Sequence, residues 1–211
     1  MKPKTFKNKF FVFFFGSLCF WFLNAQKVLE KEFSLPPNGT LELSFPWADK
    51  IIYHGLETQK KLKIVYRAEG EYQNQTHLSE KKSGTLLKVG EQFFPLFTPP
   101  NDKLSAHKNI VSNVQVFAPT SARVLLESKD ASVFVKGMIS EIELFLENGH
   151  CLWDAYLTKG KIETVNASVE VRSKDIVVLA SSQNGLVQTL PLQQKTPHLM
   201  VRSINGDILQ R

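Results

Sequence analysis

Cysteine is nearly absent from this 211-residue chain: there are two, Cys19 and Cys151. Cys19 lies in an N-terminal apolar run, so Cys151 stands alone in the remainder of the chain. That excludes a disulfide framework, and the fold must be held by its core or by a regular backbone ladder. Histidine is also sparse: His54, His77, His107, His150 and His198 form no H-x-x-x-H pair. A metal reading reduces to His150, Cys151 and Asp154, and strand alternation sends neighbours to opposite faces, short of the three or four convergent ligands a site needs. Nucleophile-elbow, phosphate-loop and dinucleotide-binding signatures are absent. No cofactor and no metal are expected.

Acidic residues are missing from the first 29 positions, whereas Lys2, Lys4, Lys7 and Lys9 crowd the start. "FFVFFFGSLCFWFL" (10–23) and "NAQ" follow. A basic start, a short apolar run and a small residue before a polar one describe a secretory leader, here residues 1–25 with cleavage after Ala25. The run is short for a membrane span, which needs about 20 apolar residues. A lipoprotein reading would use Cys19, but bulky Leu18 precedes it. Losing the leader leaves 22 basic against 20 acidic residues, so most of the formal +6 charge departs with it. No basic cluster interleaved with aromatics remains, which argues against nucleic acid as a partner. The expected address is the periplasm, the cell surface or the medium, with no integral span after cleavage.

A phrase recurs in the second half: "SKDASVFV" (128–135), "LENGHCLW" (146–153), "TVNASVEV" (164–171), "SQNGLVQT" (182–189) and "SINGDILQ" (203–210). Its small corner residue is Ala131, Gly149, Ala167, Gly185 and Gly206, preceded by Asp130, Asn148, Asn166, Asn184 and Asn205. Two places later stand Val133, Cys151, Val169, Val187 and Ile208. Columns kept in register over several steps are the mark of a stacked repeat. Apolar residues alternate around each corner, as in Ile142, Leu144 and Leu146, then Cys151 and Trp153, which reads as half-buried strands. Pro, Asn-Gly and β-branched residues recur where helices would have to continue.

The expectation is an all-β, single-domain β-solenoid of about 18 residues per coil, each coil stacked about 4.8 Å from the next. It would occupy residues 26–211, with irregular coils over 26–112 and regular repeats over 113–211. Residues 206–211 should lie beside Gly185–Thr189, with "LPLQQKTPH" (190–198) as a bulged corner. The final coil would then present an open edge thinly guarded by Gln210 and Arg211. Upstream, "WADKIIYHG" (47–55) echoes "KDASVFVKG" (129–137), which places Ile51, Tyr53 and Gly55 level with Val133, Val135 and Gly137. "KLKIVYRAEG" (61–70) and "GTLLKVG" (84–90) read as strands, and the polar stretch 71–83 between them as a loop.

"FSLPPNGTLELS", "VQVFAPTSARVLLESKDASVFVKG" and the Asn-Gly corners down to "SINGDI" resemble the bacterial putative-adhesin family of exported β-strand-repeat proteins. The resemblance spans roughly residues 28–211. It implies an extracytoplasmic β-solenoid-like domain and brings no catalytic residues. Asp130-Ala131 and Asn166-Ala167 depart from its Asn-Gly corners.

An enzyme reading would use Glu127 and Glu163 on an outer face. Two coils separate them by about 10 Å, beyond the roughly 5–9.5 Å between glycosidase carboxylates. Surface recognition is the stronger expectation: a non-enzymatic adhesin or binding module whose partner is a protein or glycan at the cell surface. Its candidate partner surface is Phe134, Leu152 and Phe145, with Ile208 and Arg211 on the terminal coil. Self-assembly into a homo-oligomer through that coil is the alternative. Phe93, Phe94, Leu96 and Phe97, in the segment 93–109, are expected to fold over the apolar patch as a cover.

Overall fold

In the computed structural model, residues 27–36, 39–98, 110–191 and 198–211 are described. The leader expected over 1–25 lies outside them. Apart from one 3-10 turn at Gln73–Gln75, every regular element among the described residues is a β-strand. No helix there is long and apolar enough to cross a membrane.

The strands are β1 (Lys27–Phe33), β2 (Thr40–Phe45), β3 (Ala48–Leu56), β4 (Leu62–Glu69), β5 (Thr76–Ser83), β6 (Leu86–Phe93), β7 (Val111–Pro119) and β8 (Arg123–Ser128). They continue with β9 (Ser132–Leu146), β10 (His150–Thr164), β11 (Ser168–Val171), β12 (Val178–Ser182), β13 (Val187–Gln188), β14 (Leu199–Ser203) and β15 (Ile208–Gln210). All fifteen belong to one curled sheet. Its pairings run in two rows that share β9 and β10. One row is β1-β4-β7-β3-β9-β10-β11-β15-β13, and the other is β5-β6-β2-β8-β9-β10-β14-β12.

The curl is written in the long strands. In β9 the buried side chains fall on Val133, Val135 and Ile139, then switch phase to Ile142, Leu144 and Leu146. A strand alternates faces strictly, so a phase switch requires a corner. The switch falls between Ile139 and Ile142, just past Gly137, whose φ of +89° is a conformation other residues rarely adopt. The inward residues of both rows then meet in one core, with Trp153, Tyr53, Tyr66 and Phe45 its largest buried side chains.

β10 pairs with β9 in parallel at a constant offset, Cys151 to Val133 and Ile162 to Leu144, the same 18-residue step that links Asn148 to Asp130. β3 lies against β9 with Ile51, Tyr53 and Gly55 opposite Val133, Val135 and Gly137, as their sequence echo places them.

Two expectations are corrected. The polar stretch 71–83 is not all loop: β5 pairs antiparallel with the whole of β6. Only Thr76 and Leu78 of it are buried, so its remaining side chains face solvent, and the alternation that marks a strand is masked. The C-terminal strands β14 and β15 are also not the edge of the sheet. Val187 does pair with Ile208, but Ile208 pairs on its other side with Val169. Likewise β14 sits between β10 and β12. The last pair of strands, β14 and β15, has slotted inside the pair that precedes it in sequence, β12 and β13. Composition accounts for the order: β14 offers Val201 where β12 offers Ala180, and a strand flanked on both sides buries its inward residues fully. The open edge therefore belongs to β12 and β13.

Candidate ligand-binding face

Where a strand is flanked on both sides, its inward residues are committed to the core and only its outward residues are free for function. On the second row those outward positions align in columns. Ser44, Glu127, Phe145, Glu163, Arg202 and Ser181 stand side by side across six strands. Phe145 is the large apolar member and is 42% exposed. It lines three adjoining surface depressions, the first of about 260 Å³.

The first depression is mainly acidic, with Glu42, Glu127, Glu143 and Glu163 against Lys161; the second sets Glu163 beside Arg202, and the third Glu127 and Glu147 beside Lys129. Glu127 and Glu163 flank the ring directly, one strand away on either side. Glu143 is held by Arg123 at 3.0 Å, Glu163 by Lys161 at 2.9 Å, and Glu42 by Lys88 at 2.7 Å. Among the described residues, no ion pair reaches Glu127 or Glu147. An exposed ring between carboxylate acceptors offers a ligand a flat apolar contact and hydrogen-bond acceptors on both sides. A whole strand separates Glu127 from Glu163, about 10 Å by the sheet spacing, so these two carboxyl groups do not face one another across a single water.

The other residues expected to form a surface do not converge on this one. Phe134 is half-buried in the first row, with the Lys50 ammonium 5.1 Å from its ring centre. Leu152, its neighbour on β10, is buried. Together they do not make an open apolar patch. Ile208 is interior, because strands pair on both its sides. Arg211 is exposed, with its guanidinium 3.8 Å from Glu170. Arg172, at 3.0 Å, is the main reason the Glu170 carboxyl sits below its ordinary pKa.

The expected cover lies elsewhere in its described part. Phe93 packs on Trp47 at 4.4 Å between ring centres, Phe97 on Tyr72 at 5.2 Å, and Phe94 stacks on His77 at 4.8 Å. These contacts gather at the end of the sheet built from β5 and β6, and Leu96 is fully exposed. Residues 99–109 lie outside the described residues.

Cys151 points into the core, away from His150 and Asp154, which stand four residues apart on the outer face of β10. The His150 ring bonds the Ser168 hydroxyl at 2.8 Å, Cys151 is in the core and Asp154 faces solvent.

Two polar arrangements escaped the sequence reading. The corner residues form a side-chain ladder: Asn148 donates to Asp130 at 2.8 Å, Asn166 to Asn148 at 2.8 Å, Asn205 to Asn166 at 2.7 Å and Asn184 to Asn205 at 2.7 Å. The Asn column was visible, but its bonding order was not. The second is Glu91, buried beside the β2–β3 corner, accepting from the Trp47 backbone N–H and from the Ser112 hydroxyl at 2.7 Å. Alternation from Leu87 and Val89 puts Glu91 on the inward side of β6, but a charged residue type there reads as surface until its Trp47 and Ser112 partners are known.

No protein-family model matches this sequence, and no curated protein matches it. Among solved structures, the chain is similar to a putative cell adhesion protein from Clostridium sporogenes ATCC 15579. The TM-score is 0.51 at 14% identity, over 88% of this chain and 100% of that one. It is also similar to a putative adhesin from Bacteroides fragilis NCTC 9343, with a TM-score of 0.36 at 8% identity, over 88% of this chain and 97% of that one. At such identity the first likeness concerns the fold, and nothing rests on the second.

Proposed function

We propose that this chain is an exported, non-enzymatic surface-binding module, a β-solenoid-type scaffold that grips a cell-surface glycan or protein on its Phe145 face. The observation that carries this reading is the exposed Phe145 ring between Glu127 and Glu163, at the meeting point of three depressions. A rigid sheet is a good place for such a site, because strands fix the spacing of their outward side chains. The fold likeness to a protein described as an adhesion protein adds support. The basic, then apolar, then small-residue start supports export, with the working protein beginning at Gln26.

The test is binding of the purified protein to intact bacterial cells and to immobilised surface polysaccharide, beside Phe145→Ala. Saturable binding that weakens at least ~10-fold in the variant, with its circular dichroism unchanged, is the expected result. Absence of saturable binding to every surface would remove the proposal. Binding that Phe145→Ala leaves intact would move the site to another face. Mass spectrometry of the secreted protein should find Gln26 at its N-terminus.

A further inference from the structure

The two ends of the sheet are built differently. At one end the edge strands are β1 and β5. They carry Lys27, Glu30, Lys31, Glu32, Glu80, Lys81 and Lys82. They also reach towards each other: Lys31 pairs with Glu80 at 3.6 Å, and the Lys27 ammonium donates to the Thr76 carbonyl. Charge on an edge strand is the standard guard against pairing with another chain.

The opposite end has no such guard. From Ile176 to Pro191 the sequence contains no Asp, Glu, Lys or Arg. Its edge strands are β12 and β13, each with one flank unpaired among the described residues. Leu179 is 46% exposed and Leu186 61%, and Leu190 is exposed beside them. Val187 stands in the core column of Val133, Cys151, Val169 and Ile208, yet it is 39% exposed where Ile208 is fully buried. The end of the core is thus open. Stacked architectures need a polar cap at their ends to stay soluble, and this end has none among the described residues.

We infer that the β12–β13 edge is the interface of a closed two-fold dimer, in which a second copy of this chain caps the open core. Charge decides the partner. Head-to-tail stacking would set Leu179 and Leu186 against the lysines and glutamates of β1 and β5, at a desolvation cost with no return. The uncharged edge is complementary to itself. A two-fold axis brings such edges together antiparallel, the better-bonded of the two pairings. The corner ladder also ends here, at Asn184, whose amide can pair reciprocally with its symmetry mate. The proposal goes beyond the surface-binding reading: the interface borders the Phe145 face at Ser181 and Ser182, which line its second depression, and leaves the first, over Glu127 and Glu143, untouched.

The experiment is sedimentation velocity on protein purified after expression of the full chain, over a wide concentration range. It runs beside Leu179→Lys, Leu186→Lys and, as a control for the other face, Phe145→Ala. Wild type and Phe145→Ala should form a dimer and nothing larger, and each lysine variant should raise the dissociation constant at least ~10-fold. Hydrogen exchange supplies a readout that needs no variant: the amides of Ala180 and Ser182, which by the β12–β14 register point away from β14, should slow as concentration rises. A wild type that stays monomeric overturns the inference. So do open-ended assemblies, a dimer indifferent to both lysines, or a dimer lost only in Phe145→Ala.

Discussion

Asn205 donates its side-chain amide to Asn166 at 2.7 Å, across 39 residues of chain. Asn184, which lies between them in sequence, is the outer rung and donates to Asn205. The stacking order thus inverts the chain order. Each rung is an exposed amide bond worth about 0.5–1.5 kcal/mol net. Asn205→Ala removes two rungs and should lower stability by about 1–2 kcal/mol, whereas Asn184→Ala removes one and should cost roughly half as much. Urea denaturation checks this, with the midpoint moving and the slope held. A larger loss for Asn184→Ala would mean that the C-terminal strands pair in chain order after all.

Gly206 explains why the corner column stays small. A Cβ built there would come within 1.9 Å of the Ala167 carbonyl oxygen, a backbone atom that cannot move aside without shifting the neighbouring strands. Gly84 is the contrasting case: at φ +58° it has open space around it, so alanine there meets only the left-handed backbone penalty. Gly206→Ala should cost about 3 kcal/mol or more and Gly84→Ala about 1 kcal/mol. Thermal melts of the two variants should separate clearly. Equal losses would show that the strand spacing at this corner tolerates a methyl group.

The corner column and the β-branched alternation around it made the strands legible from sequence, and even the register of Ile51 and Tyr53 on β9 could be read from their echo. Register is local information, repeated in each phrase. Stacking order is not: Ile208 and Val187 occupy the same column with the same chemistry, and which lies inside depends on the whole inward face of β14 against that of β12. β5 was missed because a strand with one wet face and charges on it looks like a loop. For the candidate site, Phe145, Glu127 and Glu163 were visible as outward residues. Leu152 was not visible as buried, since parity tells which face a side chain takes and not what lies over it.

Cys151 is a core thiol. Burial alone pushes its pKa up to about 12, so the thiolate, the reactive form, is scarce at neutral pH. A thiol reagent should therefore leave Cys151 unmodified in native buffer and label it fully in denaturant, as read by peptide mass spectrometry. Cys151→Val matches its column neighbours Val133 and Val169 and should change stability by less than about 1.5 kcal/mol. Rapid labelling of the native protein would mean that the β9–β10 region opens far more readily than its pairing implies.

Glu91 sets a pH dependence of unusual sign. Burial raises its carboxyl above the ordinary value near 4.5, although bonds from Ser112, the Trp47 and Ala48 amides and Tyr66 oppose the rise. The folded protein therefore holds this proton at a pH where the unfolded chain has released it. Its contribution is full below about pH 4.5 and is lost as the pH climbs through the raised folded value. Glu80 works in the opposite sense: its hydrogen bond to Lys82 holds its carboxyl low, so its contribution is lost on acidification. Comparing wild type with Glu91→Gln cancels that background. The amide stays neutral and keeps an acceptor for the Trp47 amide, so the variant should gain stability relative to wild type as pH is raised from about 4 to 8. Glu91→Ala should instead lose about 1–3 kcal/mol throughout, because the Trp47 amide and the Ser112 hydroxyl are left buried without their acceptor. Denaturation midpoints of the three proteins across that range decide the matter. Parallel curves for wild type and Glu91→Gln would show that the carboxyl titrates in the core as it does in the unfolded chain.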